Sequence, residues 1–332
     1  MRVTRRAPAI RASTLLSTVV LGAAFLACTP DRDSATPMGA ASASPVAKNE
    51  PAPAIAPTVA PPPPPPRPKE LPLGGRTIFP DYQLVGFCGT PGAYALGPLL
   101  DHPAKKAEKL LSYANQYDNG RKILPVFELI AVVVQAGGGA DGKYRMRVLD
   151  SVVDEYLQAA RDAKGILLLN IQPGQSDFLT EVQRFEKYLH EPDVGVALDP
   201  EWAMLPKQTP NKFYGQTSGD AINAVIQYVS GIVTKEDLPE KALVFHKVNN
   251  YVVKNEDVIA PAPGVAVIKS IDGYGNKWVK ANTYAFLMKT KPAGIHPGFK
   301  LFFDEDTQKG QVLMSAAEVM KMVPQPEYVM YE

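Results

Sequence analysis

The chain has 332 residues, 45% of them apolar, and carries 35 Lys and Arg against 34 Asp and Glu. A balance so close to neutral gives a polyanion nothing to hold, which excludes nucleic acid as an expected partner. The apolar share is ample for a packed core. Cys28 and Cys88 are the two cysteines, too few for a disulfide framework.

Residues 1–27 read as an export signal. Arg2, Arg5, Arg6 and Arg11 form a basic start, and Thr14 to Ala27 form an apolar run too short to span a bilayer comfortably. The run ends in Phe25-Leu26-Ala27-Cys28, which resembles the lipobox of bacterial lipoproteins, with Phe25 in the place of the usual leucine. The resemblance implies acylation of Cys28, a membrane partner through the lipid, and location at the cell envelope or in the periplasm. Residues 28–72 then shift to Ala, Pro and Ser, with uninterrupted prolines from Pro61 to Pro66. Proline fixes φ and lacks a donor, so this segment reads as a disordered, semi-rigid tether.

From 73 to 332 short β-rich runs alternate with amphipathic helical segments, the pattern of βαβ units. The expected strands are Tyr82 to Phe87, Ile123 to Phe127, Gly165 to Ile171, Val194 to Leu198, Ala242 to Phe245, Val265 to Ile268, Phe299 to Phe302 and Tyr328 to Tyr331. Helices are expected over Tyr144 to Lys164, from a Ser176 cap to Tyr188, over Asp220 to Val233 and over Trp278 to Lys289, with a capping box at Ser315 to Glu318. Eight strands in about 250 residues point to a single (β/α)8 barrel of the α/β class. The last strand is followed only by Glu332, so no eighth helix covers it; the segment Leu71 to Asp81 is the expected cover.

In such a barrel the C-terminal strand ends converge on one mouth. Polar residues recur there: Glu128, Gln172, Asp199, Glu201, His246, Asp272, Asp304 and Glu332. The stretch Val194 to Trp202 is the most pointed, an apolar run that ends in Asp199-Pro200-Glu201-Trp202. Several chemistries drop out. Gly215-Gln216-Thr217-Ser218-Gly219 puts serine in the wrong place for a nucleophile elbow, and the four histidines are isolated, without His-Glu-x-x-His or paired-cysteine spacing. The glycine run 137–142 lacks the Lys-Ser/Thr of a phosphate loop and reads as a loop at the mouth. No metal and no cofactor are expected.

A carboxylate-rich pocket with aromatics nearby suits glycoside hydrolysis, which needs one protonated acid and a second carboxylate. Glu201 and Asp199 lead as catalytic candidates, with Glu128 or Asp272 as the second acid. Trp202, Gln172, His246, Asp304, Tyr274 and Glu332 are candidates for substrate contact, and Phe213, Tyr214 and Trp278 are further aromatics that follow strand tips. The stretches Gly89-Thr90-Pro91-Gly92, Gln172-Pro173-Gly174, Ser176-Asp177-Phe178-Leu179 and Leu198-Asp199-Pro200-Glu201-Trp202 resemble a family of uncharacterised exported bacterial proteins, often lipoproteins. That resemblance implies a barrel like those of TIM-barrel glycoside hydrolases and brings no substrate. More distantly, Asp199-x-Glu201 is similar to the end of the Asp-x-x-Asp-x-Asp-x-Glu signature of family 18 chitinases, with Val194 and Ala197 where the first two aspartates would stand. The expectation is therefore an envelope-anchored, monomeric carbohydrate-active enzyme that meets a glycan or other envelope polymer. The alternative is a non-catalytic binding or scaffold lipoprotein on the same fold.

The anchor is tested directly. Cys28→Ser should move the protein from the membrane fraction to the soluble one on fractionation, and unchanged partitioning would dismiss acylation at this cysteine.

Overall fold

The structure, a computed structural model, describes residues 69–210 and 212–332. The expected signal, Cys28 and all of the tether before residue 69 lie outside the described residues. No described helix is long and apolar enough to cross a membrane.

Eight parallel strands close into a barrel: β1 Tyr82–Gly89, β2 Lys122–Val134, β3 Ile166–Ile171, β4 Val194–Leu198, β5 Lys241–Lys247, β6 Val265–Ile271, β7 His296–Leu301 and β8 Tyr328–Tyr331. Each strand pairs with the next in sequence, and β8 returns to β1 with Leu84 opposite Tyr328 and Phe87 opposite Tyr331. All eight fall where hydrophobic patterning put them, because a strand buried on both faces reads as an unbroken apolar run. The helices are α1 Pro103–Ala114, α2 Asp150–Asp162, α3 Phe178–Gln183, α4 Glu186–Leu189, α5 Gly219–Glu236, α6 Lys277–Met288 and α7 Ala316–Val319.

Two helices differ from expectation at their ends. The segment expected to begin a helix at Tyr144 instead forms a short strand, Arg145–Arg147, antiparallel to Val132–Val134 where β2 runs beyond the barrel rim. Its two arginines both reach the buried carboxylate of Glu181 on α3, at 2.9 Å from Arg145 and 2.7 Å from Arg147, and that ion pair holds the strand where a helix would otherwise start. The Ser176–Tyr188 helix is two helices, and its cap is Asp177, which accepts from the Thr180 amide at 2.8 Å. The capping box at Ser315 and Glu318 is present in full.

Alternation along the strands makes two cores. Outward residues such as Phe127, Leu169, Val196, Phe245 and Val267 pack beneath the helices. Inward residues, among them Leu84, Val126, Leu168, Val244, Ile268 and Met330, fill the lower barrel. Gly298 faces inward on β7 beside the ring of Tyr328, where an added Cβ would lie 3.0 Å from Cδ1. Glycine there makes room for the tyrosine.

The segment before β1 does not cover the outside of β8. Leu71 and Ile78 are buried in the inner core and so stop the floor of the barrel, and Leu73 and Phe79 pack against them. The packed domain thus includes Leu71, ahead of the start expected at 73. The outer face of β8 is covered by aromatics instead: Tyr331 stacks on Phe303 with ring centres 5.4 Å apart, meets Tyr113 edge-on at 5.0 Å, and shares a 2.6 Å hydroxyl contact with Tyr117. Aromatic packing of this kind buries large apolar area while the hydroxyl tips keep their hydrogen bonds.

If Leu71 closes the floor, Leu71→Ala should cost about 2–5 kcal/mol in urea unfolding, the range for a buried leucine. Val323→Ala, at an exposed site, should stay within about 0.5 kcal/mol.

Candidate active site

The upper half of the barrel interior is polar where the lower half is apolar. The inward alternation that places Val126, Leu168, Ala197, Val244 and Ile268 below carries Glu128, Asn170, Asp199, His246, Ser270 and Asp272 above them, all buried. Lys300 on β7 and Glu332 beyond β8 complete the ring.

These groups form a chain of alternating charge across the barrel. His246 lies 3.2 Å from Glu128 through Nε2 and 2.8 Å from Asp272 through Nδ1. Both contacts are at hydrogen-bonding distance, and the two carboxylates hold the ring between them. Lys300 lies 3.3 Å from Asp272 and 2.6 Å from Glu332, and the Cys88 thiol donates to Glu332 at 3.4 Å. Tyr328 donates its hydroxyl to Glu128, Asn170 donates to Glu128 at 2.9 Å, and Ser270 donates to Asp272 at 2.9 Å.

The chain divides the carboxyls into two kinds. Burial works against ionisation of Glu128, yet the charges of His246 and Lys300 and the Tyr328 bond outweigh it and hold the carboxyl at about 2. Burial likewise opposes ionisation of Asp272, and His246 and Lys300 bring it to about 2. The imidazole of His246 responds in kind: desolvation alone would lower it, but Asp272 and Glu128 raise it well above its ordinary value. Asp199 and Glu201 go the other way. Burial raises Asp199, and the pull of His246 and Lys300 does not cancel it. Burial raises Glu201 well above the ordinary range, and the charges of Asp199 and Asp272 add to the effect.

Local geometry explains why Glu201 ends up there. Pro200–Trp202 forms one 3-10 turn directly after β4, which folds Glu201 back over the barrel. The turn is locked by the Trp202 amide donating to Asp199 O at 3.0 Å and by the Gln216 amide donating to Ala203 O at 2.8 Å. Gly215 is needed for that approach, since an added Cβ would sit 2.2 Å from Ala203 O. Asp199 is fixed by Asn170 at 3.1 Å and Gln172 at 3.0 Å, and Gln172 also accepts from the Val134 amide at 3.1 Å on the extension of β2. The Oε2 of Glu201 is buried and has no partner among the described residues.

The sequence candidates Glu128, Gln172, Asp199, Glu201, His246, Asp272 and Glu332 are thus gathered at one end of the barrel. Asp304 is not: it is exposed before a 3-10 turn, and its neighbour Asp306 is the buried one, 2.9 Å from Lys280. Trp202 is half-buried and Tyr274 exposed. Tyr94, Phe213, Tyr214, Tyr251, Tyr274 and Trp278 are exposed aromatics, and each follows the C-terminal end of a barrel strand. Asn170, Lys300, Ser270, Tyr328 and Cys88 were not among the candidates. Their signal was phase: Asn170 interrupts Leu167-Leu168-Leu169, and Lys300 sits between Phe299 and Leu301, each at an inward position. No group of three or more His, Cys, Asp or Glu among the described residues is disposed to hold a metal ion.

No family model matches the chain, and no curated protein matches it. Among solved structures, it is similar to one described as "Putative alpha Amylase from Salmonella typhimurium", at 15% identity and a TM-score of 0.22, over 58% of this chain and 32% of that one. The chain therefore spans about a third of the length of that structure, and a score so low carries no argument. The class rests on the chain's own strands, a closed parallel (β/α)8 barrel of TIM type.

The two kinds of carboxyl are separable by pH. Glu201 has a folded pKa above the ordinary 4.5, so the wild type loses stability as pH rises through that folded pKa. Glu201→Gln carries no such penalty and should gain on the wild type in melting temperature from about pH 5 upward. Asp272 has a folded pKa of about 2 against 3.8, so its contribution is present above pH 4 and lost towards pH 2. Asp272→Asn should therefore be less stable at pH 7 by about 3–5 kcal/mol, the cost of stripping one partner from a buried ion pair.

Proposed function

We propose that the protein is a glycoside hydrolase, with Glu201 as its general acid. The observation that carries this reading is Glu201 itself: a buried carboxyl whose proton affinity is raised by burial and by the neighbouring Asp199 and Asp272, one oxygen without a partner among the described residues, beneath loops that bear exposed aromatics. Glycosidic cleavage needs such a proton at the leaving oxygen as the C–O bond breaks. Aromatic faces at the rim suit stacking against sugar rings.

The second carboxylate is assigned to Asp199. Glu128 and Asp272 are tied by His246, Lys300, Tyr328 and Ser270, which suits them to hold the field of the site and leaves them poorly placed to meet a substrate. Asp199 is held by two amide donors and stands two residues from Glu201. Two neighbouring acids in one desolvated site divide their protons, and that division assigns acid and base. Acylation at Cys28 would place the enzyme on an envelope glycan, its proposed substrate class. Burial of all four carboxyls to 7% exposure or less favours the second reading, a barrel that binds without catalysis.

Incubation of the mature protein with a panel of envelope polysaccharides, read by mass spectrometry, separates the two readings. On the polysaccharide that is cleaved, Glu201→Gln should lower turnover by about 10²–10⁴. Asp199→Asn, which removes the second carboxylate, should lower it to a comparable degree and abolish the acidic limb of the pH profile. Cleavage by Glu201→Gln at the wild-type rate would remove this residue from the mechanism, and binding without cleavage by the wild type would favour the non-catalytic barrel.

A further inference from the structure

We infer that a lateral cleft in the barrel wall, between the β5–β6 crossover and the end of α6, binds a small ligand carrying a phosphate-class oxyanion. The crossover from β5 to β6 contains no α-helix. Residues 248–264 include Pro261 and Pro263 and form a two-residue strand, Val253–Lys254, paired with Thr217–Ser218, and a 3-10 turn, Glu256–Val258. The crossover therefore adds no helix of its own, and α5 is the helix that packs against both strands. Beside it lies a cleft of about 450 Å³, within the size range of small-molecule sites and far larger than one ion requires.

Positive charge is in excess around it. Lys247, the last residue of β5, points away from the barrel interior and lines the cleft with Lys289 and Lys291, against Glu256 and Asp257. Lys269 lies behind them on β6, fully buried. Glu256 pairs with both Lys247 and Lys269, so one carboxylate serves two buried ammonium groups. Lys269 also donates to Leu287 O at 2.6 Å and to Thr290 at 3.2 Å, so its bonds are complete, but the two ammonium groups still share one carboxylate charge and a further anion nearby would offset the excess. Burial, with repulsion from Lys247 and Lys291, outweighs the bond from Glu256 and holds Lys269 down to about 8. Thr290 adds a hydroxyl at the same wall, 3.1 Å from Glu256. Lys291 already donates to Ile295 O at 2.5 Å and Lys247 to Glu256. An anion entering from solvent would therefore meet the exposed Lys289 first and share the remaining donors of Lys247 and Lys291, and the remaining volume would accept a carbon skeleton attached to it.

The site is separate from the mouth, since Lys247 and His246 are successive residues on opposite faces of β5. Isothermal titration of the mature protein at low ionic strength, with inorganic phosphate and with glucose 6-phosphate, tests the inference. Saturable binding of either is expected, weakened at least 10-fold by Lys289→Glu and unchanged by Lys321→Glu on the exposed end of α7. Tighter binding of glucose 6-phosphate than of the free ion would show that the ligand includes the carbon skeleton, and equal binding that the anion alone is held. No saturable heat from either probe, or wild-type affinity in Lys289→Glu, would overturn the inference.

Discussion

The alternation of carboxylate and cation across the top of the barrel is the constraint on which the site depends. Glu128, His246, Asp272, Lys300 and Glu332 come from five parts of the chain, and each link neutralises its neighbour in a medium where isolated charge is prohibitive. The two cations sit closest to Glu128, Asp272 and Glu332, and the pull of both on Asp199 and of His246 on Glu201 does not offset burial. The raised proton affinity of Asp199 and Glu201 follows first from burial, with the neighbouring carboxylates adding to it. The same chain locks β2, β5, β6, β7 and β8 together from within, so the geometry of the mouth and the closure of the barrel are one problem.

How far the sequence could be read follows from what each residue had to say locally. The eight strands were legible because parallel strands covered on both sides are plain apolar runs, and Asp199 and Glu201 were legible because they end one. The Arg145–Arg147 strand was not, since its stability comes from Glu181, 34 residues on from Arg147. The role of Leu71 at the floor could not be seen either: nothing local distinguishes a leucine that stops a barrel from one that coats it. Lys300 was hidden by its neighbours, being one charged residue in an apolar strand whose inward phase matters only when the barrel is closed.

The site also shows how burial can sort identical chemical groups. Four carboxyls lie within one barrel end, and desolvation acts on all of them in the same direction. What separates Glu128 and Asp272 from Asp199 and Glu201 is the position of His246 and Lys300 relative to each, at hydrogen-bonding range for one pair and beyond it for the other. A conservative change in either cation would therefore redistribute protons over the whole set.

The wall of the barrel is uneven in what shields it. Around β1 and β8 the rings of Phe87, Tyr113, Phe303 and Tyr331 interlock, whereas the crossover from β5 to β6 that lies beside α5 is one short turn, a two-residue strand and two prolines. A helix resists opening because its bonds break together; a turn of Glu256–Val258 has no such cooperativity. The molecule thus has a stiff flank and a soft one. Slow fluctuations should begin in the turn of this crossover, ahead of the strands that α5 covers.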